Sequence, residues 1–83
     1  MIGSIIEIID NRVLIKLAID INKQPNLVGL HVVFEDETKK IVAEIVNVSQ
    51  TEMTAVIVGE LGENSFIPGA TKRPSFKSSI RLV

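Results

Sequence analysis

The side chains in this chain that could do chemistry are few and scattered. His31 is the only histidine, and there is no cysteine, which excludes a thiolate nucleophile, a disulfide and a cysteine-based zinc site. Histidine works as a general base only beside an oriented partner. His31 instead lies between Leu30 and Val32 in an alternating run, where a solvent-facing or hydrogen-bonded strand residue belongs. Glu35, Asp36 and Glu37 bring three carboxylates together, the raw material of a cation site, but Lys39 and Lys40 follow at once. One short turn cannot deliver the roughly six to eight oxygen ligands of a firm calcium site. Gly59 and Gly62 have the wrong spacing for the phosphate loop Gly-x-x-x-x-Gly-Lys-Ser/Thr, and no Gly-x-Gly-x-x-Gly occurs. The expectation is a chain with no catalytic residue, no cofactor and no metal.

The remaining chemistry is electrostatic. Residues 1–71 hold five basic and ten acidic side chains, whereas residues 72–83 hold four basic and none acidic. Lys72, Arg73, Phe76, Lys77 and Arg81 form a basic strip with one aromatic in it. It can be a solvated connector, or it can meet an acidic neighbour, another domain or phosphate. Against phosphate stands a net acidic remainder. Stacking platforms are also scarce, with three Phe and no Trp or Tyr.

Those residues must be positioned by strands, because β-branched residues dominate. The run from Ile2 to Ile9 is followed by the turn-prone pair Asp10-Asn11. From Arg12 onward, Val13, Ile15, Leu17, Ile19 and Ile21 alternate with polar residues, a period of two that predicts a hairpin. Asn22-Lys23-Gln24-Pro25-Asn26 breaks the chain. A third strand over 30–35 places Leu30, Val32 and Phe34 on one face, opposite His31, Val33 and Glu35. A fourth over 40–48 carries Ile41, Ala43 and Ile45 on one face, with Val42, Glu44, Val46 and Val48 on the other. Met53 to Gly59 is a fifth. A looser stretch comes next, interrupted only by Phe66-Ile67, before a last strand over 79–83.

About six short strands in 83 residues predict an all-β fold, a small closed or nearly closed antiparallel β-barrel spanning 1–83 as one domain. Closure removes the adhesive edges that this many Ile and Val residues would create. No apolar run approaches the ~20 residues of a membrane helix, and no signal peptide opens the chain; a cytoplasmic protein with no membrane partner is expected. Natural termini are usually frayed and solvated, so an ending on Ile80, Leu82 and Val83 reads as one module of a longer protein.

Several strands are apolar on both faces, more than one barrel interior needs. Ile5 and Ile9 oppose Ile2, Ile6 and Ile8, and Val56 and Val58 oppose Ala55 and Ile57. Ile5, Ile9, Val56 and Val58 are therefore the candidate contacts with a neighbouring subunit.

The order of these segments resembles the HAS-barrel, the N-terminal barrel of HerA-type DNA-translocating ATPases and of the catalytic subunits of rotary ATP synthases. The resemblance spans essentially the whole chain. It rests on Ile2-Gly3-Ser4-Ile5-Ile6-Glu7, Leu27-Val28-Gly29-Leu30-His31-Val32, Ile41-Val42-Ala43-Glu44-Ile45 and Val56-Ile57-Val58-Gly59-Glu60. The closing Phe66-Ile67-Pro68-Gly69 and Pro74-Ser75-Phe76-Lys77-Ser78-Ser79-Ile80 are most similar to the bacterial HerA-like group. The resemblance implies a barrel without chemistry of its own. Adjacent copies would pack into a collar, commonly hexameric, above an ATPase ring, and the collar would dock partners such as a nuclease. The ATPase domain would lie beyond Val83. The alternative is a stand-alone barrel binding nucleic acid or a protein through Lys72, Arg73, Phe76, Lys77 and Arg81.

Overall fold

The computed structural model describes residues 2–18, 26–69 and 72–83, and all regular structure within them is β. The strands are β1 (Gly3–Ile9), β2 (Arg12–Leu17), β3 (His31–Glu35), β4 (Lys40–Val48), β5 (Glu52–Leu61), β6 (Phe66–Pro68) and β7 (Ser79–Leu82). The expected continuation through Ile19 and Ile21, and the break at 22–25, lie outside the described residues. Every strand pairing is antiparallel, in the order β1-β2-β5-β4-β3-β7, with β6 added on β5. The sheet curls into a half-barrel, open but near a barrel, in which β1, β6 and β7 each pair along one side among the described residues. β6 is one strand more than the sequence predicts. Its three residues are too few for a period of two to show, and pairing with the end of β5 is what makes them a strand.

β5 organises the molecule. Along one side it pairs with β4, from Val48↔Met53 to Ile41↔Glu60. Along the other, its first half pairs with β2, from Lys16↔Glu52 to Arg12↔Val56. Its last residues pair with β6 through Gly59↔Pro68, Glu60↔Ile67 and Leu61↔Phe66. The one sheet thus runs from the β4–β5 pair outward through β2 to β1 on one flank and through β3 to β7 on the other, with β6 on the end of β5.

Three register shifts bend these strands. They leave Ile6 in β1, Val46 in β4 and Val58 in β5 without a direct partner across the ladder. A bulge inserts one residue and exchanges the faces of the residues beyond it. In β1, Ile5 and Ile8 therefore share the core side, while Ile6 and Ile9 point outward, 44% and 56% exposed. Strict alternation would set Ile5 beside Ile9. In β4, Ile41, Ala43 and Ile45 face inward; beyond the bulge Val48 does so too, and Val46 is exposed.

The core is a consequence of the register. Residues directly opposite one another lie on the same face of a sheet. Ile8, Val13, Ala55 and Ile45 form one inward row, and Ile5, Ile15, Met53 and Val48 a second. Leu82, Val32, Ala43 and Ile57 form a third, while Ile80, Phe34 and Ile41 begin a fourth. Leu30, expected to share that face with Val32 and Phe34, is exposed. It precedes β3 and receives the Ile45 N–H on its carbonyl at 2.8 Å, just after Gly29, whose N–H donates back to the Ile45 carbonyl at 2.8 Å. Gly29 takes φ 93°, a conformation that side-chain-bearing residues rarely adopt.

The turns are as their residue types require. Asp10, in the loop closed by Ile9↔Arg12, carries φ 54°. The Asp36 carboxylate accepts from the Thr38 N–H at 2.7 Å, the Thr38 hydroxyl at 2.9 Å and the Lys39 N–H at 3.0 Å. Those bonds close the β3–β4 hairpin as an Asx turn.

Candidate functional site

On the side of the sheet away from the core, two valines are buried without belonging to it. Val33 and Val42 are 1% and 7% exposed yet lie outside the core cluster. They face each other across β3 and β4, in a row that runs Arg81, Val33, Val42, Gly59, Pro68. β-Branched residues pack well at such cross-strand positions, but here the packing is outward. A groove of about 280 Å³ lies over them, walled by Val58, Leu61 and Phe66 toward β6 and by His31, Arg81 and Val83 toward β7.

Gly59 makes the β6 wall possible. The ring of Phe66 and the carbonyl of Ile67 occupy the space that a Cβ on residue 59 would need. Phe66 thus settles beside the valines rather than above a side chain. Arg81 and His31 bring ionisable side chains to the groove. Arg81 meets Glu35 through Nε and Nη2, each 3.5 Å from Oε1.

Of the residues singled out in the sequence as subunit contacts, Ile5 is corrected. It is 6% exposed and packs in the core, opposite Ile15, so it offers nothing to a neighbour. The β1 bulge is the reason. Ile9 and Val56 belong to one outward row, Ile9, Arg12, Val56, Glu44, His31. Val58, at the β5 bulge, lines the groove.

The basic strip does not form one surface. Lys72 pairs with Glu60, Nζ to Oε2 at 3.2 Å, and Arg81 pairs with Glu35. Arg73 and Lys77 are exposed around Phe76, itself 58% exposed. Lys77 and Ser75 border a hollow whose other wall is Asp36, Glu37 and Thr38, so carboxylates stand where phosphate would approach. The three neighbouring acids part ways as well. Glu35 is engaged by Arg81 and, at 4.0 Å, by Lys40, whereas Asp36 turns to its own backbone. Among the described residues no three His, Cys, Asp or Glu side chains gather in a way that could hold a metal ion. No helix among them is long and apolar enough to cross a membrane.

Sequence reasoning misses the groove because its far wall belongs to β6, which reads as loop. Its floor leaves a trace: Val33 is apolar between His31 and Glu35, and Val42 stands with Val46 on the face of β4 opposite its core residues. In comparison with known proteins, no family model matches the chain and no curated protein matches it.

Proposed function

We propose that this chain is a non-catalytic assembly barrel, the cytoplasmic collar module of a HerA-like DNA-translocating ring ATPase. The observation that carries this is the second apolar surface. A nearly closed barrel needs one packed interior, and this one adds a groove floored by buried Val33 and Val42 and walled by exposed Leu61 and Phe66. Contiguous exposed apolar surface of this kind marks an interaction site. The likeness of the segments to the HAS-barrel supplies the architecture in which such a surface is used, a ring of identical neighbours that also docks a partner such as a nuclease.

Two measurements test it. Sedimentation velocity across a concentration series should show the chain associating. Reading the gene past the codon for Val83 should show an open frame running into Gly-x-x-x-x-Gly-Lys-Ser/Thr. A stop codon there overturns the ring-ATPase part.

A second reading is favoured by one feature, exposed Phe76 between exposed Arg73 and Lys77. On it the chain binds single-stranded nucleic acid, and binding to an oligonucleotide falls steeply with salt and is lost in Arg73→Glu/Lys77→Glu. Salt-independent or absent binding removes it.

A further inference from the structure

No further inference is drawn: the strongest candidate, the apolar groove floored by Val33 and Val42 between β6 and β7, has Arg81 at its rim already engaged by Glu35, and nothing in the structure shows what covers it.

Discussion

The ring of Phe66 rests on the backbone of Gly59, where a Cβ would stand 2.5 Å from the ring's Cζ. The same Cβ would collide with the Ile67 carbonyl, which belongs to the β5–β6 ladder and cannot swing away. Gly59→Ala should therefore destabilise by about 1–3 kcal/mol, the usual cost of overpacking, read by urea unfolding. Adding Phe66→Ala should not restore stability, because the backbone collision remains. Full recovery in the double variant would show that the ring alone makes the glycine necessary.

The β1 bulge separates two adjacent isoleucines. Ile5→Ala should cost about 2–5 kcal/mol, as for a truncated core aliphatic. Ile6→Ala should lie within about 0.5 kcal/mol of the parent, as for an exposed site. Equal losses at the two positions would mean that the strand runs without the bulge.

That contrast also shows how far the sequence can be read. The strands β1 to β5 and β7 are legible because a half-buried strand writes its two faces as alternation, and Val13, Ile15, Met53, Ala55 and Ile57 do so without interruption. The bulges are not, since an inserted residue looks like any other isoleucine or valine. Alternation therefore sets Ile5 and Ile9 on one face, although Ile6 comes between the two halves of the ladder. β6 is invisible because a strand of three residues takes its identity from its partner. The groove depends on both features, which is why the sequence singles out only Val58 and Arg81 among its lining residues, and for two different contacts.

The hydrogen bonds to Asp36 set a pH dependence. The Thr38 N–H foremost and then the Thr38 hydroxyl hold its carboxyl below the ordinary value of 3.8; desolvation opposes them, and the Lys39 N–H and charge add to the lowering. A carboxylate with a depressed folded-state pKa contributes stability above its unfolded pKa and loses it as the pH falls through the folded value. The parent should thus be more stable than Asp36→Asn at neutral pH, and the difference should fade below about pH 3.8. Unfolding of both proteins across roughly pH 2–7 checks this. A difference that persists at the acid end would assign the effect to the amide itself.

Ser78 is only 7% exposed, and its hydroxyl has no hydrogen-bond partner among the described residues. An unsatisfied buried polar group costs about 1–3 kcal/mol. Ser78→Ala should therefore leave stability unchanged or raise it by about 1 kcal/mol, measured by thermal unfolding. A loss of stability would reveal a bond made by that hydroxyl in solution.

Because β5 is bonded along both sides, to β4 on one and to β2 and then β6 on the other, the strand as a whole is freed only when neighbours on both flanks let go. β7 is held along β3 alone. Elements with few bonded neighbours open at lower free energy than those at the centre of a sheet. Rigidity in this small barrel is thus graded, from a nearly static spine in β5 to a margin at β7. Arg81 stands on that margin and Val58 on the spine. The groove is thus anchored at Val58, while Arg81 on β7 and Phe66 on β6 ride on strands held along one side.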